Sequence, residues 1–214
     1  YSSLQVSWAR TFVHLLFMLA MFMPQHGWKL LRTKQLPTQL ARSTMLFLSN
    51  LCFFYAITYV PLAKASSISL SSPLVVALLA WPMLGERTTL ARVVALGVGF
   101  LGVLVVIRPG SEVFQPASLL ILGSSTFYAI YQILTRRIAG TEAPETLATY
   151  SAVVGAIGML VVLPFVGRMP DGVADLGMFV GAGILGAVGH YFVARALILA
   201  PANVVTPFAY FPLL

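Results

Sequence analysis

Charge is what this sequence has least of. Only 9% of its 214 residues are Asp, Glu, Lys or Arg, against roughly a quarter in a soluble domain, and the acids number just six. With 59% hydrophobic residues and a mean hydropathy of +0.91, the chain lacks the polar surface to cover itself in water. An integral membrane protein is therefore expected, with the lipid bilayer as its outer partner. A single cysteine, Cys52, excludes a disulfide framework within one chain and any cysteine metal site. None of the acids falls inside an apolar run: Glu86, Glu112, Glu142, Glu145, Asp171 and Asp175 all lie in predicted loops, which argues against a carboxylate proton relay. H-x-x-x-H, a phosphate loop and a nucleophile–base pair are all missing, so neither an enzyme nor a cofactor is expected. Period-2 alternation, the β-barrel signal, is missing as well. The net charge of +7 is scattered through short loops, so nucleic acid is not an expected partner.

What the chain does have is a series of apolar runs. A helix crossing a hydrocarbon core of ~30 Å needs about 20 such residues, and runs of this kind fall at 8–24, 43–60, 65–84, 89–107, 115–134, 147–166 and 176–199, with an eighth opening near 202. The breaks QHGWKLLRTKQLP, GERTT, RPGSEVFQP, RRIAGTEAPE and GRMPDGVAD carry turn residues. The expected fold is all-α, a polytopic membrane helix bundle. Lys29, Arg32, Lys34, Arg42, Arg87, Arg92, Arg136, Arg137 and Arg195 fall on one side, and Arg10, Lys64, Arg108 and Arg168 on the other. By the positive-inside rule the first side is expected to be cytoplasmic. The opening YSSLQVSWARTF shows no secretory leader, and FAYFPLL stops inside an apolar run, so a partial chain is expected.

One stretch resists this pattern. PLAKASSISLSSP, residues 61–73, holds five serines, a lysine and two prolines. Read as a loop it would leave too few residues for the next crossing, so the serines are expected inside the membrane. Sliding the chain by 140 residues brings Ala56-Ile-Thr-Tyr-Val-Pro61 onto Ala196-Leu-Ile-Leu-Ala-Pro201, five spans later. The second copy would enter the membrane in the opposite sense, as in the inverted repeats of secondary transporters.

PLAKASSISLSSPLVVALLAWPMLGE (61–86) resembles the fourth-helix signature of the EamA family in the drug/metabolite transporter superfamily, with Gly85-Glu86 as its terminal pair. LARVVALGVGFLGVLVVIRPG (90–110) is similar to the fifth helix of that family, TFYAIYQILTRR (126–137) to its sixth, and ARALILAPANVVTPFAYFPLL (194–214) to its eighth–ninth junction; Arg10 matches the arginine that opens the second. The resemblance implies ten helices in two inverted five-helix repeats, here 1–110 lacking its first helix and 111–214 truncated in its ninth. It implies a secondary transporter of a small-molecule substrate, monomeric or homodimeric, in the bacterial inner membrane. The amino-acid exporter branch is the expectation; vitamin, nucleoside-like or drug transport is the alternative within the family. A membrane enzyme or structural membrane subunit is the alternative outside it.

Polar groups inside the spans are the candidates for a substrate cavity, because an unpartnered polar atom in hydrocarbon costs several kcal/mol. Ser66, Ser69 and Pro73 share one helical face, with Ser72 beside it. Asn50, Tyr55 and Tyr59 belong to the preceding span. Tyr128 and Gln132 share a face with Ser125, and His190 and Tyr191 follow Gly183, Gly186 and Gly189 on a helix surface thin enough for a ligand to approach. His14 and His190 are candidates for a proton relay or for plain interhelical hydrogen bonds. Arg10, Lys64 and Glu86 are assigned to gating or topology. The tracks Ala91-x3-Ala95-x3-Gly99 and Gly177-x3-Gly181 suit close helix crossings.

Overall fold

The computed structural model describes residues 1–86, 89–107, 115–161 and 163–213. Arg87, Arg108, Glu112 and the repeat boundary at 110/111 fall outside the described residues, as do the side chains of Arg92 and Ala95. The described chain is helical: α1 (Ser3–His26), α2 (Leu36–Ala56), α3 (Leu62–Ser69), α4 (Ser72–Leu84), α5 (Leu90–Ile107), α6 (Ala117–Ile138), α7 (Pro144–Gly158), α8 (Leu163–Val166), α9 (Val173–Leu199) and α10 (Ala202–Val205), with 3-10 turns at Gly27–Leu31, Met159–Val161 and Thr206–Leu213. Among the described residues, four segments are long and apolar enough to cross a membrane by length and composition: Ser3–Leu31, Leu62–Leu84, Ala117–Ile138 and Val173–Leu199.

The bundle is apolar outside and polar within. Leu78, Val98, Val105, Leu185 and Phe192 are exposed, whereas Gln39, Arg42, Ser43, Thr135 and Thr149 are completely buried. That is the reverse of a water-soluble core and the arrangement expected where lipid is the outer solvent. The ends of α1, α4, α6 and α9, on whose side most of the Lys and Arg fall, define one end of the bundle, called here the basic end.

Glycine sets how close the helices come. A β-carbon at Gly183 of α9 would collide with Val13 of α1, and one at Gly155 of α7 would lie 2.8 Å from Thr11 Cγ2 of α1. Gly99 of α5 packs in the same way on Leu74 of α4. At Gly177 and Gly181 such an atom would meet open space. The α1–α9 crossing therefore uses Gly183, with Gly186 one turn further on, and not the Gly177-x3-Gly181 track that the spacing suggested.

The 65–84 span is not one helix. Pro73 has no N–H, so the Ser69 carbonyl, four residues back, loses its helical donor. Leu70 and Ser71 form a turn, and α4 starts afresh at Ser72 with Pro73 in its first turn. Four of the five serines lie within three residues of this turn: Ser67 and Ser69 donate to carbonyls four residues back, while the Ser71 and Ser72 hydroxyls have no partner. Gly85 ends α4 at φ 70°, the left-handed conformation that glycine adopts without strain.

Arg42 ties the bundle together. From α2 its Nη1 donates to Gln39 Oε1 (2.8 Å) and the Leu147 carbonyl (2.7 Å), its Nε to Thr135 Oγ1 (3.0 Å), and its Nη2 to Ser151 Oγ (3.0 Å) and the Tyr131 hydroxyl (3.4 Å). All five guanidinium N–H groups are thus used, joining α2, α6 and α7 with no carboxylate. The positive-inside reading places Arg42 on the cytoplasmic side, just beyond the loop; it lies two turns inside α2, and the neighbouring helices supply what solvent would otherwise provide.

At the basic end Glu86 caps the last helix. Its carboxylate accepts the backbone N–H of Ala202 (3.2 Å) and of Asn203 (3.3 Å) and lies 3.6 Å from Arg136 Nε. Arg136 Nη1 in turn donates to the Leu197 and Ile198 carbonyls at the end of α9 (2.8 and 3.3 Å). The pair fixes the α9–α10 corner against the ends of α4 and α6.

Two outcomes are expected. Arg42→Met removes all five guanidinium bonds and leaves the Gln39 oxygen without a partner, at a cost on the order of 2–4 kcal/mol, read as a lower unfolding midpoint of the purified protein in detergent. Gly183→Leu abolishes folded, monodisperse protein on size-exclusion chromatography, whereas Gly181→Ala leaves it intact.

Candidate substrate site

The turn between α3 and α4 opens onto a cavity of about 140 Å³ lined by Ser49, Asn50, Phe53, Ser69, Ser72, Ser124, Ser125 and Tyr128. At 1.5 Å per helical residue the polar groups of this lining lie about 9–17 Å in from the end opposite the basic one, so α2, α3, α4 and α6 meet here at a similar depth. Its wall is built by reciprocal bonds between α2 and α6: Ser49 Oγ donates to the Ser124 carbonyl (2.9 Å) and Ser124 Oγ to the Ser49 carbonyl (2.8 Å). Ser125 Oγ bonds the Ile121 carbonyl (3.0 Å) and reaches the Ser69 carbonyl that Pro73 left free (3.5 Å). Ser69 Oγ donates back to Ala65 (2.9 Å).

Three polar groups on this lining remain open. Ser72 Oγ is buried, its residue only 5% exposed, and has no partner. The Asn50 amide and the Tyr128 hydroxyl bond to no other described residue, and the Tyr128 ring stacks on Tyr131 at 5.6 Å. The cavity thus offers one hydroxyl, one amide and one phenol, each able to donate and accept, beside the Phe53 ring.

The structure gathers Asn50, Ser69, Ser72 and Tyr128 from the sequence candidates, with Pro73 buried beside them. Gln132 is buried one turn further along α6, its amide bonded to no other described residue. Other candidates lie elsewhere. Ser66 is exposed in α3, the same helix as Ser69, and does not line the cavity. Tyr55 and Tyr59 are exposed beyond the cavity and bond each other at 3.3 Å. Lys64 is half-buried in the first turn of α3. Tyr191 points to the basic end, donating to Glu145 Oε1 (3.4 Å) and accepting from Arg195 (3.3 Å).

His14 and His190 stack with centroids 5.5 Å apart. His14 Nε2 bonds the Ala148 carbonyl (3.2 Å), and His190 Nδ1 bonds the Tyr131 hydroxyl (3.3 Å). Through Tyr131 and Ser151, 3.0 Å apart, this pair joins the Arg42 network. Composition hid that network, because a sequence shows residue types and not which helices carry acceptors for them; the Ser, Thr and Gln of α2, α6 and α7 were its only signal. Ser49 and Ser124 were missed for the same reason. Glu86, assigned to gating or topology, is the α10 cap described above, and Arg10 sits with its guanidinium over the Phe54 ring, 5.9 Å from the centroid.

A larger cavity of about 550 Å³ lies on the far side of α1, between α8 and α9. Trp8, Phe12, Leu163, Pro164, Phe179 and Val180 make its wall almost wholly apolar. The smaller cavity carries more of the chemistry, because its open polar groups have no partners to lose. Among the described residues no three His, Cys, Asp or Glu side chains come together as a metal would require. Outside the spans, the Tyr1 hydroxyl donates to Asp175 (2.7 Å) and accepts from the Asp171 N–H (2.9 Å), and the bond to Asp175 raises its pKa above the ordinary phenol value.

The family model described as the EamA-like transporter family matches residues 1–108 and 115–214. The chain is 29% identical over 180 residues to the riboflavin transporter of Vibrio cholerae, covering 83% of this chain and 60% of that protein. It is 28% identical over 211 residues to the S-adenosylmethionine uptake transporter of Rickettsia felis, covering 99% and 71%. It is 30% identical over 176 residues to the pseudopaline exporter CntI of Pseudomonas aeruginosa, covering 79% and 60%. The chain therefore spans about 60–70% of the length of these relatives. A crystal structure of a protein superposes with a TM-score of 0.73 over 99% of this chain and 75% of that one, at 19% identity, which speaks to the fold alone. The chain is a multi-pass integral membrane protein with the all-helical bundle expected from its sequence, and it belongs to the EamA-like transporter family.

Proposed function

We propose that the protein is a secondary transporter whose substrate lodges in the Asn50–Ser72–Tyr128 cavity and crosses by alternating access. The observation that carries this reading is the unpartnered Ser72 hydroxyl at the interruption between α3 and α4. Interrupted helices are where secondary transporters place substrate, because irregular backbone in a membrane is tolerated where it lines a cavity.

The cavity's mixture of hydroxyl, amide and aromatic faces fits an amphipathic metabolite, amino acids and their derivatives among them. The names of the relatives support this range, since riboflavin is a ring system bearing hydroxyls and S-adenosylmethionine an amino-acid derivative. Export of an amino acid is our reading of direction; the relatives include both an uptake transporter and an exporter. The two stretches matched by the family model support a division into inverted repeats, 1–110 and 111–214. The basic end is assigned to the cytoplasm and the protein to a bacterial inner membrane, on the positive-inside rule and the bacterial relatives.

Counterflow in liposomes containing the full-length protein, with labelled phenylalanine, tryptophan, threonine, riboflavin and S-adenosylmethionine, tests the reading. Uptake of at least one above empty liposomes is expected, and uptake of none rejects it. Ser72→Val and Asn50→Leu are each expected to reduce transport of the active solute about tenfold, the loss of one or two buried hydrogen bonds, with unchanged expression. Gln132→Leu is expected to cut transport without affecting expression; full transport by this variant takes Gln132 off the path.

A further inference from the structure

Among the described residues the bundle holds two arginines away from its ends, and they are in opposite conditions. Arg42 has an acceptor for every N–H. Arg10, in the second turn of α1 and about 10 Å from its start, makes no hydrogen bond and no ion pair with any described residue. Its guanidinium rests over the Phe54 ring of α2. On its other side is Gly186 of α9, where a β-carbon would lie 3.1 Å from Arg10 Nε. The glycine thus makes the room that the guanidinium occupies. Arg10 is half-buried and in electrostatic reach of Tyr128, the residue that lines the serine cavity.

The described acids are placed elsewhere. Glu86 is held by Arg136 and α10, Glu142 by Thr33 and Lys34, Glu145 by Tyr191, and Asp175 by Tyr1. Asp171 is exposed at the end opposite the basic one, its backbone N–H on the Tyr1 hydroxyl. A cation with five open donors inside a membrane bundle is costly, and such residues mark substrate paths.

We propose that Arg10 binds the carboxylate of the transported metabolite, with the remainder of the molecule directed past Tyr128 into the cavity of Asn50 and Ser72. The pairing is one positive charge to one negative charge. A guanidinium matches a carboxylate with two parallel N–H···O bonds, whereas a phosphate dianion would call for more positive charge than this site holds. Phe54 supports the flat face of the guanidinium and leaves its N–H edge to the ligand. The site rests on the transporter reading and narrows it: neutral ring systems such as riboflavin would not be preferred cargo.

The test pairs each carboxylate with its carboxamide, which keeps the shape and removes the negative charge. Thermal unfolding of the full-length protein is followed with phenylalanine, tryptophan and S-adenosylmethionine and with the carboxamide of each, so this arm needs no variant. At least one carboxylate is expected to stabilise the protein where its carboxamide does not. Equal stabilisation by both members of every pair, or stabilisation by riboflavin alone, overturns the carboxylate site while leaving the transporter reading intact. No stabilisation by any solute, together with no counterflow, overturns both.

The second arm is transport. Arg10→Gln is expected to slow counterflow of the active carboxylate about tenfold or more, the loss of a charge-assisted hydrogen bond, and to leave the carboxamide at its wild-type rate. Arg10→Lys, which keeps the charge and loses the fork, falls between. Equal loss for carboxylate and carboxamide in both variants assigns Arg10 a structural role and overturns the proposal.

Discussion

The constraint on which this structure depends is that a polar group inside hydrocarbon must find a partner within the protein. Arg42 meets it in full. A guanidinium has five donors and cannot shed its proton, so three helices have to arrive with acceptors at one point. Thr135 and Tyr131 come from α6, Leu147 and Ser151 from α7, and Gln39 from α2 itself. Tyr131 passes the network to His190 of α9, and His14 of α1 stacks on that ring. Five helices are therefore registered against one another by a column of neutral hydrogen bonds around one cation. Apolar packing alone would not fix this register, because lipid tails are as apolar as the helix surfaces they touch.

The same constraint, left unmet, describes the candidate site. Pro73 withdraws one donor from the α3–α4 segment, and Ser125 of α6 partly replaces it at the Ser69 carbonyl. Around that repair the Ser72 hydroxyl, the Asn50 amide and the Tyr128 phenol stay open. The contrast between the Arg42 column and this cavity is one of accounting: Arg42 has an acceptor for each of its five donors, with the Gln39 amide N–H left over, while the cavity holds three open groups that a solute or water can fill. Both are built from the same residue types, so only the count of partners tells them apart.

That explains how much was legible in the sequence. Apolar runs separated by glycine, proline and charge gave the helices, because length and hydropathy are properties of a segment alone. Ser69, Ser72, Asn50 and Tyr128 meet because each was the polar member of its own segment at a similar depth. Failures came where a neighbour decides the outcome. Arg42 reads as one more charge of the cytoplasmic side until α6 and α7 are placed beside it. Ser66 shares a helical face with Pro73 only on an unbroken helix, and the turn at Leu70–Ser71 ends that helix. Tyr55 and Tyr59 satisfy each other's hydroxyls at the surface, and no local pattern distinguishes that from facing inward. Gly177-x3-Gly181 has the spacing of a helix crossing, yet Val13 meets α9 at Gly183.

The distribution of bonds also limits where the molecule can move, if it works by alternating access. Opening at the level of Arg42 would expose five donors and their acceptors together, so α2, α6 and α7 behave as one body there. The basic end is different. Glu86 and Arg136 hold the α9–α10 corner through charged groups that are partly exposed, 14% and 27%, and water can replace their partners as they part. Salt bridges of that exposure contribute little net stability, on the order of 0–1 kcal/mol. The opposite end is stapled in a similar way, with Tyr1 bonded to Asp175 and Gln5 bonded to the Arg168 backbone. Exchangeable contacts thus lie at the two ends and the unexchangeable network lies between them. The α3–α4 turn is where the main-chain ladder is already interrupted, because Pro73 supplies no N–H to the Ser69 carbonyl, so a helix bends there at a lower cost in backbone bonds than within an unbroken helix.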